Sequence, residues 1–201
     1  MEYLENFRDD ELSVTISELL VATADSSDPL LDDSVSQLLH AMRTRMEMDV
    51  VFVSEFIDGQ RMFRYVDAAP DAPPVEVGGF SPAEESVCQR VVEGRVPELV
   101  RDLASMPREQ LPELPFRVGA HLSTPIVLKD KRVYGTLCCF SAAPREELVQ
   151  ADLDKLKMCA TLVARKLELS QARGLQEPPP DWKLEPMQQY ESPVWGAPRR
   201  R

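Results

Sequence analysis

Three stretches of the chain carry apolar residues at helical spacing. The first predicts a helix over about 10–24, and the second, after an Asp28-Pro29 cap, predicts a helix with a stripe from Leu31 to Met46. The third predicts a long helix over about 145–172. Its apolar seam consists of Val149, Leu153, Leu156, Ala160, Val163 and Leu167. Such a seam packs either against a second copy or against the sheet of its own chain, and both uses remain open.

The pattern between these helices is that of β-strands. Residues 49–57 are rich in β-branched and aromatic side chains, Asp58-Gly59 predicts a two-residue turn, and 60–68 predict the return strand. A second hairpin is predicted from 120–128 and 132–141. This order of elements predicts an α+β domain, in which an antiparallel sheet has its helices mostly on one side.

The segment between the hairpins is less regular. An extended piece is predicted around 75–77, and Ser81-Pro82-Ala83-Glu84 has the pattern of a capping box that opens a short helix. That helix is predicted to end at Gly94 and to bury Val87, Cys88, Val91 and Val92. A brief strand is predicted within 97–102. Residues 103–117 contain three prolines and predict a long loop, which in a small domain often has a function.

Net charge and composition limit the classes of partner and site that are expected. The 201 residues carry a net charge of −11, which disfavours nucleic acids and anionic membranes as partners. No stretch reaches the roughly 18 apolar residues of a membrane span, and the acidic N-terminus does not resemble a signal peptide. The four cysteines include no Cys-x-x-Cys pair, so neither a disulfide framework nor a zinc site is predicted. These features indicate a cytoplasmic protein with reduced thiols.

The predicted domain layout has three parts. Residues 1–30 form an N-terminal helix and linker, and 31–172 form the domain with its long last helix. Residues 173–201 are rich in proline and scattered charge, which predicts a disordered tail. Trp182, Tyr190 and Trp195 lie in this tail, a composition that suits recognition of a partner protein.

Three blocks of sequence carry a resemblance to a known family. They are DVVFVSEF with its hairpin, EESVCQRVVEGRVPELVRD (84–102), and VGAHLSTPIVLKDKRVYGTLCCFS (118–141). Together they resemble a GAF domain, especially those beside the diguanylate-cyclase (GGDEF), EAL and histidine-kinase output domains of bacterial signalling proteins. The resemblance implies a GAF-like antiparallel sheet with the terminal helices packed on one face and a ligand pocket on the other.

The sequence lacks the motifs of the best-known GAF ligands. Bilin-binding relatives have a Cys-His pair, and neither His40 nor His121 follows a cysteine. The Asn-Lys-x-Asp-Glu pattern of cyclic-nucleotide-binding relatives is also missing. No output-domain motif follows residue 170. The cofactor or ligand therefore stays unidentified.

The resemblance, combined with strand alternation, assigns a set of residues to the pocket. Asp102 is included because an aspartate at this place borders the pocket in GAF domains, although a solvated turn residue is the alternative. Cys88 is included because it matches one cysteine of the free methionine-(R)-sulfoxide reductases. The predicted ligand-binding residues are Phe52, Ser54, Cys88, Asp102, His121, Ser123, Thr136, Cys138 and Phe140.

His121 and the cysteines allow several roles. A metal ligand needs partners, and no second histidine or cysteine lies at ligand spacing from His121, so no metal site is predicted. His121 is then either a hydrogen-bonding group in the pocket or a half-buried strand histidine with no functional role. Cys138 and Cys139 are adjacent in a strand and therefore point to opposite faces, which prevents their pairing. Buried thiols that pack as small apolar groups are the simplest prediction for all four cysteines.

These observations predict a sensory or regulatory domain that is not an enzyme. It would bind an unidentified small molecule or a partner protein, such as a separate output protein, and transmit its state through the terminal helices. A homodimer through the first and last helices is also expected. Two alternatives remain: a thiol enzyme like the free methionine-(R)-sulfoxide reductases, and an interaction module without a ligand. The reductase alternative lacks its catalytic cysteine, because residues 103–120 contain none.

Overall fold

A six-stranded antiparallel sheet forms the centre of the fold. The computed structural model describes residues 31–176, with side chains from 34 to 172. The strands lie in the order β3-β2-β1-β6-β5-β4. They are β1 (Val50–Ile57), β2 (Gln60–Ala68), β3 (Phe80–Pro82), β4 (Leu99–Val100), β5 (His121–Val127) and β6 (Val133–Phe140), and the helices are α1 (Leu31–Arg45), α2 (Val87–Val92) and α3 (Gln150–Gln176).

Several predictions fall outside these residues. The helix predicted over 10–24, the segment 1–30 and most of the tail 173–201 are not described. The helix α3 continues to Gln176, four residues past the predicted end of the domain at 172. Within residues 31–176, no helix combines the length and apolar character that crossing a membrane requires.

Both predicted hairpins are confirmed. The strands β1 and β2 pair from Ile57–Gln60 outwards, and Asp58 and Gly59 both have positive φ values, 50° and 74°, as the predicted tight turn requires. The register shifts between Val53 and Ser54 because β2 contains a bulge, so Phe63 and Val66 both pack on the same face. The second hairpin joins β5 to β6, and β6 also pairs with β1 in the middle of the sheet.

The segment between the hairpins differs from prediction. The extended piece at 75–77 is not a strand; the strand is β3, which pairs with β2. The capping box at Ser81 is also wrong, because Ser81 and Pro82 lie in β3 and a 3₁₀ turn, Ala83–Glu85, follows. The helix α2 begins only after Ser86, whose side chain accepts the backbone N–H of Gln89 at 3.1 Å. Pairing with β2 thus overrides the local helix signal.

The helices α1 and α3 cover one face of the sheet, called here the back face. The side chains of Leu38, Leu122, Leu137 and Leu156 are fully buried between these helices and the sheet. Most of the α3 seam is buried in this core, so the seam covers the sheet of its own chain. The exception is Val149, which is 49% exposed because α3 begins after it and not at about 145.

Tyr134 lies on the back face and provides a test of its packing. Burial, with a contribution from Glu55, raises the pKa of Tyr134 to about 12. The unfolded chain releases this proton near its ordinary pKa of about 10, so the stabilisation is complete below about pH 10 and is lost as the pH rises towards 12. We expect urea unfolding to show that the wild type loses more stability between about pH 9 and pH 11 than Tyr134→Phe does. Equal losses in the two proteins would contradict the burial.

Candidate functional site

A cavity of about 730 Å³ lies on the opposite face of the sheet, called here the front face. The strands form its floor, and α2 and residues 112–118 form its walls. Phe52 and Phe63 meet edge to face with ring centroids 4.9 Å apart, and Phe116 stacks on Phe140 at 5.6 Å. The aromatic lining consists of Phe52, Phe63, Phe80, Phe116 and Phe140. The volume and the apolar walls are typical of a site for a small organic molecule.

Arg61 is an arginine of the cavity lining that contacts two phenylalanine rings, a serine and a cysteine. Its guanidinium carbon lies 4.8 Å from the ring centroid of Phe63 and 5.9 Å from that of Phe52. One terminal nitrogen donates to Ser81 Oγ at 3.0 Å, and the other lies 3.7 Å from Cys88 Sγ. The Nε atom is buried and has no hydrogen-bond partner among the described residues. Arg61 is therefore fixed in position while keeping donor capacity unused.

Arg90 is a second arginine in the lining. It donates to the carbonyl oxygen of Glu109 at 3.4 Å, and its buried Nε likewise has no partner within the described part of the chain. Neither Arg61 nor Arg90 forms an ion pair with a described carboxylate. The carboxylates of the lining, Glu84, Glu85 and Glu113, belong to exposed residues. The two arginines are thus available to an anionic group in the cavity.

Two sulfur atoms and one imidazole nitrogen, all buried, lie close together at the inner end of the cavity. His121 lies at the start of β5 and Cys138 near the end of β6. They are diagonal neighbours, because Phe140 is opposite His121 and Ser123 is opposite Cys138. His121 Nε2 is 3.2 Å from Cys138 Sγ. The helix α2 adds Cys88, so that the two sulfur atoms and an imidazole nitrogen lie within 4.8 Å of one another. We call these three residues the Cys88–His121–Cys138 cluster.

The two thiols of this cluster differ in acidity. A hydrogen bond from Cys138, and after it the nearby His121 and Arg61, hold the pKa of Cys88 well below its ordinary value despite complete burial. Burial and the neighbouring Cys88 raise the pKa of Cys138. Cys88 is therefore the thiol that ionises first, with Cys138 as its hydrogen-bond donor.

Comparison with known proteins identifies the fold around this cavity. The sequence model described as GAF domain matches residues 30–168, more than half of the chain. The chain belongs to the GAF domain family. Members of this family are ligand-binding sensory and regulatory modules. The comparison with curated proteins found no match.

Solved structures of GAF domains share the fold at low sequence identity. The GAF domain of an Acinetobacter phosphoenolpyruvate-protein phosphotransferase has a TM-score of 0.63 and 15% identity, over 87% of this chain and 99% of that one. The phycoerythrobilin-bound GAF domain of a cyanobacterial phytochrome has a TM-score of 0.62 and 16% identity, over 81% and 97%. Free methionine-R-sulfoxide reductase from Neisseria meningitidis has a TM-score of 0.63 and 13% identity, over 81% and 91%. At these identities the likeness establishes the fold alone.

The cavity of this GAF domain brings together five of the nine residues assigned to the pocket from the sequence. These five are Phe52, Cys88, His121, Cys138 and Phe140. His121 is 3% exposed, so it is not the half-buried histidine of one alternative. The expectation that His121 has no histidine or cysteine partner is wrong once the chain is folded. Its partners Cys88 and Cys138 lie on other elements, where sequence spacing carries no information about distance.

The other four assigned residues lie outside the cavity lining. Ser54 and Thr136 are buried and bond to each other at 2.9 Å, which satisfies both hydroxyl groups within the sheet. Ser123 is fully buried, and its Oγ has no partner among the described residues. Asp102 accepts the backbone N–H of Ala104 at 3.0 Å and so caps a 3₁₀ turn, close to its predicted alternative as a turn residue.

The pocket residues assigned from the sequence include neither Arg61, Phe63 and Arg90 nor any residue of 112–118, although 103–117 was predicted to be a loop of the kind that often has a function. A signal for Arg61 and Phe63 was present in the hairpin. A two-residue turn at 58–59 sets Phe63 opposite Ser54, and Arg61 two residues away on the same face. No such local signal places the loop over the sheet, because its position depends on contacts with distant elements.

Proposed function

We propose that this GAF domain is a cytoplasmic sensor that binds a small molecule with an aromatic or apolar body and an acidic group. One observation carries the proposal: an aromatic cavity of about 730 Å³ contains two arginines that have no carboxylate partner among the described residues. The body of the ligand would pack between the phenylalanine rings. Its carboxylate or phosphate group would accept hydrogen bonds from Arg61 and Arg90.

The net charge of the chain opposes the binding of anions, so an acidic ligand depends on the two arginines. A protein with a net charge of −11 repels anions at long range, so an anion needs specific donors to remain bound. Arg61 supplies them in a partly desolvated position, where a charge-assisted hydrogen bond is stronger than in water. The exposed glutamates at the cavity favour one well-placed acidic group over a polyanion.

The signal would pass through the sheet. The strands β1, β5 and β6 line the cavity with one face and contact α1 or α3 with the other. A bound ligand that prefers one arrangement of these strands would shift the helices behind them, provided its affinity differs between the two arrangements. A separate output protein or a second copy of the chain would read this shift. For a homodimer, Met158 on α3 and Val149 just before this helix are exposed apolar residues that a second copy could cover.

We expect native mass spectrometry of the full chain, purified from its own host, to show an added small-molecule mass that denaturation removes. We expect Arg61→Gln to lose this added mass. The variant deletes charge-assisted hydrogen bonds worth about 1.5–3 kcal/mol, which weakens binding roughly 10- to 100-fold.

Arg64→Gln is the matched control. Arg64 is on the same strand, but it pairs with Glu55 and does not line the cavity, so its loss should leave the added mass in place. Equal retention of the ligand by both variants would contradict the role of Arg61. A bare mass for the wild type, under gentle conditions and at several concentrations, would favour the interaction module without a ligand.

The thiol-reductase alternative has one observation in its favour, the proximity of Cys88 and Cys138. Against it stands the loop 103–120, which contains no cysteine. Turnover of free methionine sulfoxide with a thiol reductant, absent from Cys88→Ser, would favour this alternative over the sensor.

A further inference from the structure

The Cys88–His121–Cys138 cluster has the composition of a transition-metal site. Two sulfur atoms and an imidazole nitrogen are soft or borderline donors, which select zinc and similar ions and disfavour magnesium and calcium. The three residues are buried, come from α2, β5 and β6, and all line the front cavity. Exposed groups of carboxylates are common without a metal ion, but this cluster is buried and contains no carboxylate.

We propose that Cys88, His121 and Cys138 bind one zinc ion, with a fourth coordination position open towards the front cavity. Zinc sites with three protein ligands and an open position are those that bind water or an exogenous ligand, whereas structural sites have four protein ligands. This inference goes beyond the proposed small-molecule binding, because zinc binding needs neither Arg90 nor an organic ligand.

The distances fit such a site. Zinc–sulfur and zinc–nitrogen bonds of ordinary length in a tetrahedron separate sulfur from nitrogen by about 3.5 Å and the two sulfurs by about 3.8 Å. The distance from Cys138 Sγ to His121 Nε2 is 3.2 Å, and no separation within the cluster exceeds 4.8 Å. Side-chain shifts of about 1 Å therefore bring all three atoms to bonding distance.

The surroundings supply a second-shell partner for Cys88 and leave one atom of His121 free to take one. Arg61 reaches within 3.7 Å of Cys88 Sγ and is positioned to donate to a zinc-bound thiolate. His121 Nδ1 is buried without a partner among the described residues. With zinc on Nε2, Nδ1 carries the hydrogen and can donate it to a water molecule or a ligand in the cavity.

The chemistry of zinc uptake balances simply. Each thiol releases one proton to solvent and forms one zinc–sulfur bond, and the neutral imidazole forms a zinc–nitrogen bond without releasing a proton. The two thiolates neutralise the charge of the ion. The open position then gives the cavity an electron-pair acceptor besides its two arginines.

Cobalt(II) is a spectroscopic probe for this site. We expect the reduced, chelator-treated full chain to take up one equivalent of cobalt and to develop thiolate-to-cobalt charge-transfer absorption in the near ultraviolet. Zinc should displace the cobalt, and native mass spectrometry should show one zinc per chain. Cys88→Ser and Cys138→Ser each remove one of the two thiolates, so each should weaken or abolish the charge-transfer band. Each should also bind zinc roughly 100-fold more weakly or worse, since even second-shell changes cost 10- to 100-fold.

Cys139→Ser is the matched control. Cys139 is adjacent to Cys138, equally buried, and packed on the back face, so this variant should keep both the band and the affinity. Thermal unfolding of the metal-free variants identifies any that fail to fold, and His121→Asn then provides an independent test.

Three results would overturn the proposal. They are the absence of metal uptake by the reduced wild type, uptake that survives both Cys88→Ser and Cys138→Ser, and equal loss of uptake in Cys139→Ser. None of these results changes the retention of an organic ligand by Arg61, so the two proposals fail separately.

Discussion

Gly135→Ala is expected to destabilise the domain by about 3 kcal/mol or more, because β1 leaves no room for a side chain at this position. A Cβ atom on Gly135 would lie 1.9 Å from the carbonyl oxygen of Ser54 and 2.7 Å from its carbonyl carbon. These atoms belong to the backbone of the central strand, which cannot move without breaking its pairing with both β2 and β6. Urea unfolding followed by circular dichroism measures the loss.

Gly94→Ala is the comparison that separates steric overlap from backbone preference. Gly94 has a φ of 72°, and a Cβ atom there meets nothing within 4 Å. Its replacement should cost only the strain of a left-handed conformation, about 1–2 kcal/mol. Equal effects of the two substitutions would contradict the close approach of β1 to Gly135.

Leu156→Ala is expected to cost about 2–5 kcal/mol, because it opens a cavity in the core between α3 and the sheet. The side chain of Leu156 is fully buried. Met158 lies two residues further along the same helix and is 52% exposed, so Met158→Ala should change the stability by no more than about 0.5 kcal/mol.

The comparison of these two variants also tests the direction in which α3 faces. Both replace a long apolar side chain with alanine in the same helix, so their helix propensities change in a similar way. A large loss from Met158→Ala and a small one from Leu156→Ala, again in urea unfolding, would mean that α3 packs against another partner. Concentration dependence of the unfolding midpoint would then indicate a second copy of the chain.

Elements with strong local signals were predictable from the sequence. The Asp58-Gly59 turn fixes the first hairpin through backbone preference alone, and residue alternation identifies the strands on either side. The capping box at Ser81 is also a local signal, but pairing of β3 with β2 competes with it and wins. Local preference therefore predicts an element only where no distant strand offers its backbone a better partner.

The candidate site was predictable on the strands and much less so elsewhere. Alternation sorted the residues of each strand by face, and the resemblance to GAF domains then assigned the faces of His121 and Cys138 to the pocket. The proximity of Cys88 to Cys138 was not predictable, since it depends on where α2 packs over the sheet. Arg61 was missed for a different reason: the hairpin register that places it on the front face was not followed along β2.

The adjacent residues Cys138 and Cys139 are expected to tolerate substitution to different degrees during evolution. Position 139 packs in the apolar core between the sheet and the helices, where another small apolar residue can take its place at a modest cost in stability. Position 138 is tied to 88 and 121, and a change at any one removes the reason to keep the other two. A search for relatives that treats Cys-Cys as one motif would therefore give the tolerant position 139 the same weight as the constrained position 138. The informative pattern is the co-occurrence of positions 88, 121 and 138.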